Sequence, residues 1–142
     1  MHRIVEEENP SSVAEELESR LRGFNEQHAG PPNTRPLVLS VRDSAGNLIA
    51  GLAGEFFWNA LYIAVLWVDE AHRGIHCGAS LLHRAERIAR ERGCEAVYLN
   101  TLGFQAPGFY LRQGYTVIGE LHGVPPGCTR QWFCKWLGDP AV

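Results

Sequence analysis

Val68-Asp69-Glu70-Ala71-His72-Arg73-Gly74-Ile75-His76-Cys77-Gly78-Ala79-Ser80-Leu81-Leu82 joins an apolar run to an amphipathic one across a turn that carries two glycines. Gly74, Gly78 and Ala79 keep the turn thin, so that backbone N–H groups can converge on an anion. The positive end of the following helix adds to the same potential. Arg73 brings a full charge to the place where a pyrophosphate would sit. By itself the turn reads equally well as a tight strand-to-helix connection with a surface arginine, because isolated glycine patterns are weak signals.

Outward from this turn, both flanks are regular. On the N-terminal side, Leu61 to Val68 and Leu48 to Phe57 are strand-like runs around a tight reversal at Trp58-Asn59. Leu37 to Arg42 precedes them across Asp43-Ser44-Ala45-Gly46-Asn47, which is turn chemistry. The three runs predict an antiparallel meander. The third is apolar on both faces, as a strand covered from both sides would be. Further upstream, Ser12 to Glu15 reads as a capping box, and Val13, Leu17, Leu21 and Phe24 recur at helical spacing up to about His28. Ile4 and Val5 read as the start of a short edge strand.

On the C-terminal side, the spacing predicts a helix from Cys77 to Arg92 with Leu81, Leu82, Ala85, Ile88 and Ala89 inward. Arg84, Arg87 and Glu91 take the opposite face, Glu86 and Arg90 form an i,i+4 pair, and Gly93 sits at the left-handed cap. Glu95 to Thr101 is a strand, and the strand–helix–strand order implies a parallel pairing. Pro107 opens a short helix closing at Gly114. Tyr115 to Leu121 and Thr129 to Leu137 are the last two strands, joined through Pro125-Pro126-Gly127. One parallel crossover inside a mostly antiparallel sheet gives an α/β chain.

Length and composition fit one domain over residues 1–142 with a real core: 142 residues, 45% hydrophobic. A net charge of −3 without a basic stripe argues against nucleic acid. The longest apolar stretch, Phe56 to Val68, is interrupted by Asn59 and falls short of the ~20 residues of a spanning helix, so no membrane is expected. The start, with Glu6-Glu7-Glu8, lacks a secretory pattern. Cys77, Cys94, Cys128 and Cys134 include no Cys-x-x-Cys pair, and reduced thiols in a cytoplasmic protein are the expectation. His72, His76, Cys77 and His83 could each bind zinc, but their spacing matches no finger and no metal is expected.

Segment 61–82 resembles the acetyl-CoA-binding motif of the GNAT superfamily of acetyl-CoA-dependent N-acetyltransferases, whose loop reads Arg/Gln-x-x-Gly-x-Gly/Ala. Arg73, Gly78 and Ala79 match it, and His76 stands in place of the first glycine. The stretch Phe104-Gln105-Ala106-Pro107-Gly108-Phe109-Tyr110-Leu111-Arg112-Gln113-Gly114-Tyr115 is similar to the family's later motif, a short helix carrying Phe-Tyr and ending before Gly-Phe or Gly-Tyr. Residues from about Leu37 to Leu137 are covered, with features of a small bacterial subgroup at Gly119-Glu120-Leu121 and Pro125-Pro126-Gly127.

The resemblance implies the GNAT acyl-CoA N-acyltransferase fold, an α/β (α+β) arrangement with a mixed, mostly antiparallel central sheet flanked by helices. It implies acetyl-CoA as cosubstrate, held by Arg73, Gly74, His76, Gly78 and Ala79 and by the backbone of Leu66, Trp67 and Val68. One of the latter amides would polarise the thioester carbonyl, as preset donors do in acyl transfer. Tyr110 matches the family's general acid; without the motif, Phe109 and Tyr110 read as core aromatics. Several relatives carry an acid near position 64, which is Ala64 here, so Glu55 is the nearest candidate base, ahead of Glu120 and His122. The expected function is transfer of an acetyl group to a primary amine by direct attack in a ternary complex, with a catalytically silent acyl-CoA-binding module as the alternative. The acceptor is a small molecule or a protein amine, and Trp132 and Trp136 on one face of the last strand hint at a homodimer.

Overall fold

Turn residues and apolar runs divide the described part of residues 33–142 into six strands and two α-helices. The structure, a computed structural model, describes residues 1–74, 76–103, 105 and 107–138; the motif positions Ile75, Phe104 and Ala106 lie outside them. Two units are distinct, residues 1–32 and residues 33–142.

The first unit holds helix α1, Pro10–Ala29. It starts two residues before the expected capping box, with a proline in its first turn and Asn9 as the N-cap residue. Proline suits that place because its missing N–H would have no helical partner there. Ser12 Oγ donates back to the Asn9 carbonyl at 3.4 Å instead of capping. Ile4 and Val5 form no strand, since the three glutamates that follow leave no alternating apolar face.

The second unit contains β1 (Arg35–Arg42), β2 (Leu48–Phe57), β3 (Ala60–Val68), α2 (Cys77–Glu91), β4 (Ala96–Leu102), α3 (Pro107–Arg112), β5 (Thr116–His122) and β6 (Thr129–Trp136). They form a six-stranded sheet in the order β1-β2-β3-β4-β6-β5. The meander is antiparallel as expected, and its first turn is held by the Asp43 carboxylate, which accepts from the amides of Ala45 and Asn47, both at 2.9 Å. Only β3 and β4 run parallel, and they pair from Ala60↔Ala96 to Ile63↔Leu99 and no further.

That short pairing has a local cause. Val65 faces Ala53 and Ile63 faces Gly54, so Ala64 is an extra residue, a β-bulge in β3. A bulge bends its strand and disrupts the ladder. Gly54 permits the close approach: a Cβ there would meet the Tyr62 carbonyl oxygen well inside contact distance. Beyond the bulge, β3 leaves β4, and Ala64, Val65 and Trp67 are exposed. The expectation of cover on both faces therefore holds only for the first half of this strand.

The core lies between the sheet and α2, where Leu81, Leu82, Ala85 and Ala89 meet Leu52, Leu61, Val97, Leu99 and Phe133. Helix α2 ends as predicted at Gly93 (φ 79°), with the Cys94 amide donating to Ala89 and the Gly93 amide to Arg90, the paired bonds of a left-handed cap. Glu86 departs from its predicted surface pair with Arg90. Its position shares the stripe of Leu82, Ala85 and Ala89, and it is buried. There it accepts from the Tyr115 hydroxyl at 2.8 Å and from Lys135 Nζ at 2.9 Å, which satisfies a charge that burial would otherwise make costly.

Candidate active site

Where β3 parts from β4, a cleft of about 940 Å³ opens. Leu66, Trp67 and Val68 form one wall, and Arg73, Gly74, His76, Gly78 and Ala79 line the end at the head of α2. Asn100 and Thr101 stand at the carboxyl end of β4, and Phe109 and Tyr110 come from α3. Every residue expected to bind the cofactor therefore faces one cavity.

The turn at the head of α2 is built by left-handed residues. Gly74 has φ 93° and His76, the residue preceding the helix, has φ 64° and ψ 19°. The second is where the motif carries glycine, so histidine holds a conformation that costs a non-glycine residue on the order of 1 kcal/mol. The first turn of α2 contains no acidic residue, which leaves its positive end unopposed for an anion. Before the turn, a single 3-10 turn spans Glu70–His72. Asp69 Oδ2 lies 3.0 Å from His72 Nδ1, which gives that histidine a partner within the loop. Arg73 Nε donates to the Val68 carbonyl at 3.3 Å, tying the guanidinium to the end of β3 at the cleft. Gly78 packs under Phe109, where an added Cβ would lie 3.5 Å from the ring.

Tyr110 is buried at its ring and is wedged between Phe109, Tyr115 and Phe133, with centroids 5.1, 6.0 and 5.6 Å away. The core-aromatic reading of Tyr110 therefore matches its packing, and the residue also lines the cleft. Burial pushes its phenol above the ordinary value, so it stays protonated at neutral pH. Among the described residues its hydroxyl has no hydrogen-bond partner, whereas the Tyr115 hydroxyl behind it is taken by Glu86.

Glu55 stands apart from the cleft wall. It is half-buried on β2, directly opposite Tyr62, on the sheet face away from α2. Glu120 bonds to Gln131 and His122 at the far edge of the sheet. Sequence reasoning passed over Asn100, Thr101 and Gln105. Gln105 accepts from the Leu102 amide at 2.8 Å and from Thr101 Oγ1 at 3.3 Å, closing the cleft floor. Their signal was a polar pair ending the apolar strand β4, the carboxyl end at which α/β sheets bind ligands. The four cysteines are unpaired, and among the described residues no helix is long and apolar enough to cross a membrane.

The sequence model of the Acetyltransferase (GNAT) family matches residues 1–115. The blasticidin-S acetyltransferase of Streptomyces morookaense is 43% identical over 65% of this chain and 68% of its own length. An acetyltransferase of Agrobacterium fabrum strain C58 is 30% identical over 95% of this chain and 98% of its own. The crystal structure of an acetyltransferase from Bacillus cereus superposes with a TM-score of 0.88 at 29% identity, covering 94% of this chain and 97% of that one. With its parted strands, its anion-ready helix head and these relatives, the chain belongs to the GNAT family of acetyltransferases and is an acyltransferase.

Proposed function

We propose that this enzyme transfers the acetyl group of acetyl-CoA to a primary amine of a small molecule by direct attack in a ternary complex. The observation that carries the reading is the single cleft that runs from the head of α2, past the parted end of β3, to Tyr110. The pyrophosphate would lie against Arg73, Gly74, His76, Gly78 and Ala79, and the pantetheine arm along Leu66–Val68. A donor preset on this backbone would hold the thioester carbonyl, an interaction worth a few kcal/mol in acyl transfer.

Tyr110 then protonates the departing thiolate. Its ring is fixed by three aromatic neighbours, and its raised pKa keeps the proton available. Glu55, across from Tyr62 on the opposite face, takes the amine's proton through a water relay rather than by direct contact. A small-molecule acceptor is supported by the relative named for acetylating blasticidin S. Trp136 is largely exposed at the end of β6 while Trp132 is half-buried, so the homodimer reading rests on Trp136 alone.

The test is Tyr110→Phe, which keeps the ring and removes the hydroxyl. Acetyl-CoA affinity holds within a few-fold while kcat and kcat/KM fall together by about 10²–10⁴, measured as coenzyme A release over an amine panel. Full activity in Tyr110→Phe returns the tyrosine to a purely structural role.

A further inference from the structure

Three side chains from three neighbouring strands form a line on the sheet face away from α2. Asn100 Nδ2 donates to Tyr62 Oη at 3.0 Å, and Arg130 Nη1 donates to Asn100 Oδ1. The polarity of this line is set from one end. A guanidinium only donates, so the Asn100 oxygen must face Arg130 and its NH₂ must face Tyr62. The Tyr62 oxygen therefore accepts, and its own O–H proton is left to point away from the line. Arg130 likewise retains most of its N–H groups. What the line offers outward is donors and one positive charge.

That charge has no carboxylate within ion-pair distance among the described residues. Glu120 is engaged by Gln131 and His122, and the buried Glu86 by Lys135. Arg130 is half-buried, and its side-chain partner among the described residues is the neutral Asn100. Asn100 at the centre of the line also lines the cleft where β3 and β4 part. Planar donor forks matched to oxyanions are what arginine supplies best.

We propose that the acceptor carries an oxyanion, a carboxylate or a phosphorus oxyacid, in addition to its amine, and that Arg130 with Tyr62 and Asn100 receives it. The inference rests on the acetyl-transfer reading and narrows the acceptor to small zwitterions of the amino-acid type. One strand spacing, about 5 Å, separates β4 from the strand that carries Arg130. An amine and an oxyanion a few bonds apart therefore span from the parted strands to the guanidinium.

The experiment compares kcat/KM for an amino acid, its carboxamide and the matching aminoalkylphosphonate. The wild type favours one or both anionic acceptors over the carboxamide by tenfold or more, and the better of the two identifies the oxyanion. Amine basicity works against this result, because the carboxamide's amine is the more easily neutral. In Arg130→Gln the preference collapses toward one through a rise in KM for the anionic acceptor, while Arg130→Lys retains part of it. Melting temperature and acetyl-CoA affinity report whether each variant folds. Should Arg130→Gln not fold, Tyr62→Phe removes one donor alone and lowers the preference several-fold. Equal use of the carboxamide by the wild type, or a preference that survives Arg130→Gln, overturns the proposal and leaves acetyl transfer standing. Transfer to no amine at all overturns both.

Discussion

Replacing Gly54 by alanine tests the origin of the cleft. A glycine inside a strand ordinarily costs roughly 0.5–1 kcal/mol relative to alanine, so the default expectation is a more stable protein. Here the added Cβ would collide with the Tyr62 carbonyl oxygen, and it would also lie 3.4 Å from the Ile63 Cα and from a Leu61 methyl. The obstacle is backbone, not the end of a flexible side chain, so β3 itself must move, by on the order of 1 Å to restore ordinary contact. Overpacking of this kind costs about 1–3 kcal/mol, enough to reverse the sign. For a unit of this size that is a fall in Tm of about 4–12 °C. Gly119→Ala on β5, where nothing lies within 4 Å of the new Cβ, is the matched control and is neutral or stabilising. The displaced segment is the one that leads into Ala64–Val68, so catalysis suffers as well. A shift near 1 Å at a reacting centre can lower turnover by ~10²-fold, whereas the head of α2, where the pyrophosphate is proposed to sit, is untouched. Gly54→Ala should therefore lose kcat well beyond any loss of coenzyme A affinity, measured by calorimetry beside steady-state kinetics. A Gly54→Ala protein that melts at or above the wild-type temperature refutes the account of the bulge.

Arg73→Ala weakens acetyl-CoA binding by about 1.5–3 kcal/mol, the scale of a hydrogen bond to a charged group, with little change in melting of the free protein. His76→Gly removes the cost of a left-handed histidine and leaves acetyl-CoA affinity unchanged or improved; a large loss would make the imidazole a ligand contact. Glu86→Ala strands the Lys135 charge and the Tyr115 hydroxyl and costs about 3–5 kcal/mol in urea unfolding, while the double variant Glu86→Leu/Lys135→Met recovers most of it. Stability falls as pH rises above about 9, because burial raises the thiols of Cys94 and Cys134 and the phenols of Tyr110 and Tyr115. The native state then holds protons that the unfolded chain has released, and each contribution is lost as pH climbs through the folded value; a melting temperature flat from pH 8 to 11 contradicts this.

Why some of this was readable from residues and some was not follows from how far apart the deciding partners lie. Strand β2 runs over Leu48–Phe57 as expected because turn chemistry bounds it on both sides, and α2 ends at Gly93 because only a left-handed residue fits there. The residues expected to hold the cofactor meet in one cleft because they are close neighbours in the sequence, with left-handed backbone at Gly74 and His76 turning the chain. The bulge at Ala64 left no trace, since Ala60–Val68 is apolar at almost every position and a switch of face cannot be seen without alternation. Glu86 misled for the opposite reason. One acid four residues before an arginine reads as a surface pair, and only Tyr115 and Lys135, 29 and 49 residues away, reveal that it points inward. The same distance hides Tyr62, Asn100 and Arg130, whose bonds cross 38 and 30 residues and depend on the register of three strands. In this chain the part of the cleft proposed to grip the cosubstrate is local and legible. The part that would choose the acceptor is assembled by sheet register, and the bulge at Ala64, by parting β3 from β4, brings the two to the same opening.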